Sequence, residues 1–233
     1  DRKTITISSV DSKNIFKASG SVIKFDGYLK VLNIDGDKED DKILPEVDKG
    51  DIKIKEFKGV YQPAEDSWMM CNHLPKDLGS VLEIGCGSGI ISIHMAKNQN
   101  TVTSVDINPK AVKATKFNAK QNSVNFEVIE GNMFEELQDR KFNSIVCNPP
   151  YLPPTDDYND PELALAVEGG PTGSEFTVEF LSKAKNYLDK DGSIYLIISS
   201  KMKDLNVDWK RTVIHEEKYF FERLTLERFW KED

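Results

Sequence analysis

Short apolar runs alternate with segments of helical periodicity from Val81 almost to the last residue. The runs lie at 80–85, 101–107, 126–131, 142–148 and 193–200. Most are rich in β-branched and aliphatic residues, as strands buried on both faces are. The helical segments lie at 89–98, 109–122 and 173–190, and in the last of them Phe176, Phe180, Ala184 and Leu188 recur every four residues. Strands that alternate with helices predict an α/β fold with a parallel sheet between helical layers.

Two further runs, 211–220 and 222–230, predict a closing antiparallel pair of strands, which brings the sheet to seven. The first 57 residues differ, because short strand-like stretches there are separated by turns and by the acidic run 35–42. We place a domain boundary near Lys58, with a β-rich extension at 1–57 and the α/β domain at 58–233. Between 151 and 172, prolines and glycines without periodicity predict a long functional loop.

The composition is that of a soluble globular protein, with 39% hydrophobic and 30% charged residues. No run approaches the roughly 20 apolar residues of a membrane span, and the first residues do not resemble a signal peptide. We therefore expect a cytoplasmic protein with no membrane partner. The net charge is -8, and residues 58–233 hold 27 acidic and 20 basic side chains, so that part carries -7. An acidic body is a poor unaided ligand for a phosphate backbone.

The cysteines and histidines do not predict a metal site or a catalytic base. Cys71, Cys86 and Cys147 lack metal-ligand spacing, so we interpret them as reduced thiols that act as small core residues. The three histidines, His73, His94 and His215, fall on separate predicted elements and are interpreted as surface or partly buried residues.

A glycine-rich turn joins the first strand of the α/β part to its helix. Glu83, Gly85, Gly87 and Gly89 lie at this junction, where glycine lets the backbone turn tightly and approach a ligand. Asp106 ends the next strand about 20 residues on, at the place where a carboxylate accepts hydrogen bonds from ribose hydroxyls. The pattern therefore predicts a nucleotide-like ligand.

The residues around the turn narrow the class of that ligand. The turn lacks the Lys and Ser/Thr of a P-loop, which disfavours ATP, and its glycine spacing is not that of a dinucleotide site. A carboxylate such as Glu83 in the cleft repels a pyrophosphate but suits a cationic amino group. S-adenosyl-L-methionine, with its ammonium, sulfonium and ribose, fits these requirements.

The run 142–148 ends in Asn148, Pro149, Pro150 and Tyr151, and two consecutive prolines cannot continue a central strand or a helix. They fix φ near -65° and hold the preceding residues extended. The motif is either a rigid turn or a set of acceptors placed before the substrate arrives. Its position after a predicted parallel strand, beside the glycine turn, favours the second interpretation.

These motifs, "LEIGCGSG", "SVDINPKAV", "GNMF" and "NPPY" together with "VYQPAEDS", resemble the HemK-related release-factor glutamine methyltransferases, in particular their archaeal and eukaryotic branch. The resemblance covers about 58–233. It implies a Rossmann-like class I methyltransferase fold, S-adenosyl-L-methionine as cofactor and S-adenosyl-L-homocysteine as product. It further implies a peptide chain release factor as substrate and a small zinc-binding activator subunit as partner.

The resemblance also assigns roles to residues. Asn148, Pro149, Pro150 and Tyr151 hold the planar amide whose nitrogen is methylated, Asn148 and Pro149 as acceptors and Tyr151 by packing. Contacts to the cofactor are implied for Ser67, Glu83, Gly85, Gly87, Gly89, Asp106, Ile107, Asn132, Met133 and Asn148. Two residues depart from the family pattern, Asn132 where an acidic residue is usual and Gln62 where glutamate is usual.

Residues 3–56 resemble a short fragment of type IA DNA topoisomerases, from the β-rich region of the gate. The fragment contains neither the acidic metal-binding domain nor the active-site tyrosine segment of those enzymes. Topoisomerase activity is therefore not implied. We expect this part either to pack on the methyltransferase or to be mobile.

The leading hypothesis is a methyltransferase that modifies the glutamine of a Gly-Gly-Gln motif in a translation termination factor. Its chief rival is a nucleic-acid methyltransferase that acts on an adenine or guanine amine of DNA, rRNA or tRNA, because such enzymes share NPPY. They need a base-flipping pocket and a basic groove, and the acidic balance argues against them. Protein lysine methylation, and a non-catalytic module that holds DNA through residues 3–56, are the remaining alternatives.

Overall fold

The computed structural model describes residues 52–154, 161–203, 205–219 and 222–231, together with the backbone of five short strands before residue 50. The chain divides into two compact units, Asp1–Lys42 and Ile43–Asp233. The first contains two antiparallel pairs, β1 (Ile5–Ser8) with β2 (Ile15–Ala18), and β3 (Ile23–Phe25) with β4 (Tyr28–Lys30). These agree with the predicted β-rich extension. Much of the topoisomerase-like segment lies outside the described residues, and that resemblance stays a prediction.

The second unit contains the α/β fold. Its elements in chain order are β5 (Glu46–Lys49), β6 (Ile52–Lys55), α1 (Glu65–His73), β7 (Ser80–Ile84), α2 (Ile90–Lys97), β8 (Thr101–Asp106), α3 (Pro109–Gln121), β9 (Glu127–Glu130), a 3-10 turn (Glu135–Leu137), β10 (Phe142–Cys147), α4 (Pro161–Val167), α5 (Glu175–Ala184), β11 (Leu188–Ser199), β12 (Lys210–Tyr219) and β13 (Glu222–Trp230).

Seven of these strands form one sheet in the order β12, β13, β11, β10, β7, β8, β9. β7 to β11 are parallel to one another, and β13 is antiparallel to both of its neighbours. The predicted Rossmann-like α/β fold with a mostly parallel seven-stranded sheet and an antiparallel pair at its end is confirmed. Among the described residues, no helix combines the length and apolarity that a bilayer crossing needs.

Alternation along the strands divides the core into two layers. In β7, Val81 belongs to a cluster with α1 and α2, whereas Leu82 belongs to a cluster with α5. Ile145 and Val146 of β10 divide in the same way. All three cysteines are buried free thiols, as predicted, and burial raises the pKa of Cys86 and Cys147. The central strands of the sheet are thus covered on both faces, and their carboxyl ends form the edge at which such sheets bind ligands.

Two details of the predicted pattern are wrong. The run 173–190 is helical only in Glu175–Ala184, and Leu188 already begins β11, where it pairs with Phe142. The side chain of Leu188 packs in the same core layer as the apolar residues of α5. It therefore continues their four-residue spacing although it belongs to a strand. The predicted loop 151–172 contains α4, a short helix with no buried residue that begins at Pro161, a favoured first position.

β6 belongs to the α/β unit although it precedes the predicted boundary at Lys58. Ile52 and Ile54 lie in the core, and α3 satisfies the backbone of β6 through two asparagines. Asn122 bonds the N–H and C=O of Lys53 at 2.8 and 2.6 Å, and Asn118 bonds those of Lys55 at 2.9 and 3.1 Å. The side-chain amides thus replace a neighbouring strand, and β6 cannot be separated from this unit. That residues 1–57 form a domain with a role of its own stays a prediction.

Asn118→Ala tests this attachment. Asn118 is fully buried and its amide also donates to the carbonyl of Ser88 at 2.9 Å, so its removal leaves several buried backbone groups without partners. We expect the free energy of unfolding to fall by about 3 kcal/mol in urea denaturation. Asn125→Ala, at an exposed site beyond the same helix, is the matched control and should change it by less than about 0.5 kcal/mol. If the two substitutions lowered the free energy of unfolding equally, the attachment of β6 to α3 through Asn118 would be contradicted.

Candidate active site

A pocket of about 370 Å³ lies at the carboxyl ends of β7, β8 and β10. This is the edge at which parallel sheets bind ligands. The predicted site residues lie on five different segments of the chain, and all of them line this pocket with the single exception of Gly89. The structure therefore brings the sequence motifs together, while the role of each residue stays a prediction.

The glycine turn follows β7 and forms the floor of the pocket. Gly85 has φ of +77°, a left-handed conformation, and a Cβ atom there would meet nothing within 4 Å. The turn needs glycine for its backbone and leaves open space on the pocket side. Gly89 also has a positive φ, +86°, but its Cβ would come within 3.0 Å of Thr115 on α3. Close packing of α2 against α3 therefore explains this glycine, and its predicted contact with the cofactor stays a prediction.

Glu83 lies at the end of β7 with only 1% of its surface exposed. The hydroxyl of Ser92 donates to its carboxylate, and Ser92 in turn contacts Ser104. Burial raises the pKa of Glu83 to about 8, with a further increase from nearby Asp106 and an opposing decrease from the Ser92 hydrogen bond. The carboxyl is thus largely protonated at neutral pH until a positive group enters the pocket.

Asp106 ends β8 and organises the glycine turn. Its Oδ2 accepts from the backbone N–H of Gly87 at 2.8 Å and its Oδ1 accepts from that of Asn108 at 2.9 Å. Burial raises the pKa of Asp106, and the two backbone donors oppose that increase. Ile107, the next residue, is 51% exposed on the pocket rim and offers an apolar surface to a planar ring.

Asn148 follows β10 directly, and Pro149 behind it is buried. The Oδ1 atom of Asn148 is buried and has no hydrogen-bond partner among the described residues. Such an acceptor is destabilising unless a ligand or substrate supplies the donor. Pro150 and Tyr151 continue the lining of the pocket. The structure therefore places an acceptor with unused capacity at the strand end where the motif predicts it.

Asp66, on the first turn of α1, organises one side of the pocket, although the sequence motifs give it no role there. Its Oδ2 accepts from the hydroxyls of Tyr61 at 3.0 Å and Tyr151 at 3.2 Å. Its Oδ1 accepts from the N–H and the hydroxyl of Ser67 at 2.6 and 3.1 Å. Burial and the proximity of Asp66 raise the pKa of Tyr151, so the phenol stays neutral. Tyr61 is a near neighbour of Asp66 in the chain, but Tyr151 is 85 residues away, so its contact with Asp66 is not visible in the sequence.

Helix α4 forms one wall of the pocket. The N–H groups of Tyr151 and Leu152 donate to the carbonyl of Val167 at 3.1 and 2.9 Å, which fastens the end of α4 beside the NPPY turn. Glu162, at its beginning, pairs with Lys110 of α3 at 2.7 Å. The loop predicted to be functional thus closes the site with a helix attached at both ends.

The two departures from the family pattern have local explanations. The side-chain N–H groups of Gln62 donate to the carbonyls of Phe57 and Val60 at 3.1 and 3.0 Å, which an ionised glutamate could not do. Asn132 is exposed on the pocket rim and donates to Glu135 at 2.8 Å, while Met133 is buried beside it with φ of +51°. A carboxylate at 132 would face that of Glu135 instead of bonding to it.

The three histidines lie on separate elements and are partly buried, as predicted, but two of them meet in space. His73 and His215 lie on different elements, yet their rings stack with centroids 3.5 Å apart. His94 is separate and contacts Asn98. Helix packing against the far edge of the sheet brings the first two together, and no local signal in the sequence indicates it.

Comparison with known proteins places this site in a family. The profile of the methyltransferase small domain matches residues 52–162. The putative protein N5-glutamine methyltransferase of Methanocaldococcus jannaschii is 44% identical over 155 residues, which is 64% of this chain and 77% of that protein. The chain belongs to the HemK-related glutamine methyltransferases.

Other relatives of this methyltransferase differ in coverage. The eRF1 methyltransferase catalytic subunit of Schizosaccharomyces pombe is 29% identical over 180 residues, with 65% of this chain and 78% of the relative covered. The chain spans only 43% of the release factor glutamine methyltransferase of Geobacter sulfurreducens, to which it is 34% identical. The solved E. cuniculi Mtq2-Trm112 complex, at 20% identity and a TM-score of 0.57, covers 75% of this chain and 99% of the matched one and shares the fold.

The pocket of this methyltransferase fits S-adenosyl-L-methionine, the cofactor of the family. The space beside Gly85 admits a ligand close to the backbone, and Glu83 offers a carboxyl that a cationic amino group would ionise. Asp106 remains an acceptor for hydroxyls, and Ile107 and Met133 present apolar surface. The residues present therefore suit the amino group, the ribose hydroxyls and the ring of the cofactor by their chemistry.

The raised pKa of Glu83 predicts a pH-dependent effect of Glu83→Gln on stability. The unfolded carboxyl ionises near 4.5 and the folded one near 8, so the wild-type protein loses stability as pH rises between these values. Glutamine does not ionise. The free energy of unfolding of E83Q relative to wild type, without cofactor, should therefore grow from pH 4.5 to 8 by at most about 1.4 kcal/mol per pH unit. If the difference in free energy of unfolding between E83Q and wild type did not change with pH, the raised pKa of Glu83 would be contradicted.

Proposed function

We propose that this chain transfers a methyl group from S-adenosyl-L-methionine to the side-chain amide nitrogen of a glutamine in a peptide chain release factor. The observation that carries the proposal is Asn148, whose buried Oδ1 has no hydrogen-bond partner among the described residues and lies at the pocket directly before Pro149. The names of the relatives, protein N5-glutamine methyltransferase and eRF1 methyltransferase, support the acceptor class.

The chain's contribution to the reaction is alignment. A glutamine nitrogen is a poor nucleophile because its lone pair is delocalised into the carbonyl. Asn148 Oδ1 and the carbonyl of Pro149 accept the two amide hydrogens, which holds the nitrogen in one orientation and favours a pyramidal geometry. The prolines fix these acceptors before the substrate binds, and Tyr151, anchored on Asp66, packs against the flat amide. When bound, S-adenosyl-L-methionine supplies the electrophilic methyl group.

The charge around the pocket favours a peptide over a nucleic acid. Glu162 and Glu168 of the α4 wall line the pocket, and the whole chain carries -8. A chain with this net charge repels a phosphate backbone, whereas the side chain of a glutamine carries no charge and is not repelled. The exposed Leu165 on the same wall, 58% accessible, offers an apolar contact for such a loop.

A labelled-methyl transfer assay tests the acceptor. The release factor, its variant with alanine in place of the Gly-Gly-Gln glutamine, the corresponding lysine variant, tRNA and DNA are offered in parallel. We expect label only in the unaltered factor. Label in a nucleic acid, or label that persists in the alanine variant, would overturn the proposal.

Asn148→Ala tests the acceptor pair directly. Removal of Oδ1 leaves the substrate amide held on one side only, and we expect kcat to fall by about 100-fold. Cofactor affinity in equilibrium titration should change far less. Asn125→Ala, exposed and outside the pocket, is the matched control and should retain wild-type kcat. An active Asn148→Ala enzyme would show that the amide is held by other groups.

We also propose a small zinc-binding activator subunit as partner, supported by the solved Mtq2-Trm112 complex that shares this fold. Co-expression with such a subunit is expected to raise the yield of soluble protein and its methyl transfer rate, with co-elution in gel filtration. Full activity of the chain by itself, unchanged when the subunit is added, would contradict this partner.

A further inference from the structure

Three potential metal ligands converge on the side of the sheet away from the NPPY turn. His73 is the last residue of α1, and His215 and Glu217 lie on the edge strand β12. One ligand atom from each lies within 4.8 Å of the others. The two imidazole rings stack with an interplanar angle of 11°, and His215 Nε2 is 3.3 Å from Glu217 Oε1. All three side chains are half-buried, so the cluster is accessible to a solvent ion.

A β-bulge places two of these ligands on one face. The pairing of β12 with β13 shifts between Val213 and His215, so Ile214 has no partner of its own. Beyond the bulge, His215, Glu217 and Tyr219 are half-buried while the residues between them are exposed. In a regular pairing, Ile214 would lie opposite Leu226 and His215 opposite Thr225, so the side chain of His215 would fall on the other face of the sheet.

The carboxylate of Glu217 is held in position by a neighbour. The hydroxyl of Tyr219 donates to Oε2, and the other oxygen, Oε1, faces His215. Ligands of metal ions are commonly oriented by such hydrogen bonds. An ordinary ion pair between histidine and glutamate would explain one contact, but it does not explain why a second imidazole stacks on the first. Two protonated rings at this separation would repel each other, and the neutral ring is the form that binds metals.

We propose that His73, His215 and Glu217 bind one zinc-type divalent ion that clamps the end of α1 to β12. Two imidazoles and one carboxylate are a common set of zinc ligands, with a fourth position for water. Tetrahedral zinc needs ligand atoms roughly 3.3 Å apart, so the cluster closes with a movement of roughly 1 Å and rotation of the stacked rings. Mg²⁺ and Ca²⁺ prefer more oxygen ligands than this cluster offers.

The clamp would act on the pocket through α1. The same nine-residue helix carries Asp66 and Ser67 on its first turn and His73 on its last. A metal at His73 would fix the helix end that is roughly 12 Å from the pocket residues. The ion is therefore assigned a structural role and does not touch the substrate.

Zinc titration of the untagged, chelator-treated and desalted protein tests the site. Calorimetry in competition with a chelating indicator should give one zinc per chain, with an increase in Tm, and Co²⁺ should give the visible spectrum of a tetrahedral site. Mg²⁺ and Ca²⁺ should have no effect. His73→Gln, His215→Gln and Glu217→Gln should each weaken zinc binding by at least about 10-fold. The amide exchange of the last turn of α1 should slow when zinc is added.

Two matched controls separate this site from other zinc binding. His94→Gln removes the third histidine, and Glu216→Gln removes an exposed carboxylate on the opposite face of β12; both should bind zinc as the wild type does. Glu217→Gln keeps the shape of its side chain, so circular dichroism of the metal-free variant should match wild type. Zinc binding that is unaffected by Glu217→Gln and His215→Gln, or a Kd weaker than about 100 μM for wild type, would overturn the proposal.

Discussion

The register of the three central strands determines where the pocket residues lie. β7 lies between β8 and β10, and its last residue, Ile84, pairs with Val105 of β8 on one side and with Cys147 of β10 on the other. Gly85, Asp106 and Asn148 therefore leave the sheet at nearly the same level, although they come from distant parts of the chain. A shift of one residue in either pairing would turn the side chains of a whole strand to the other face and separate the carboxylate from the glycine turn. The chemistry of the site thus depends on apolar packing in the layers below it.

The polar groups of the pocket oppose the stability of that packing. Glu83 is buried in the sheet and is stabilised there by Ser92, which also contacts Ser104, but these hydroxyls offset only part of its loss of hydration. Asn148 presents a buried acceptor without a donor among the described residues. Both groups would be replaced by apolar side chains if stability alone decided their identity. Their presence at the edge where parallel sheets bind ligands is the physical sign of a functional site.

Local patterns predicted the parts of the structure that depend on local interactions. The strand runs, the glycine turn and the NPPY turn were identified because periodicity and backbone restriction act within a few residues. The contacts that complete the site join distant segments: Asp66 with Tyr151, and α3 with β6 through Asn118 and Asn122. Leu188 was assigned to a helix because its apolar spacing suits either element, and pairing with β10 decided between them. Such choices are made by tertiary packing, which a single sequence does not display.

Helix α1 connects the two chemically distinct regions of the fold. Asp66, on its first turn, accepts hydrogen bonds from two pocket tyrosines. Its last residue, His73, stacks on His215 of the edge strand β12. The helix has an almost fully buried middle, from Asp66 to Cys71, so it cannot rotate without disrupting the core. We therefore expect a change in how His73 contacts β12 to reach Asp66 as a displacement along the helix and not as a rotation. Because alignment governs the proposed transfer to a weakly nucleophilic nitrogen, a displacement of about 1 Å at Asp66 would be enough to lower the rate.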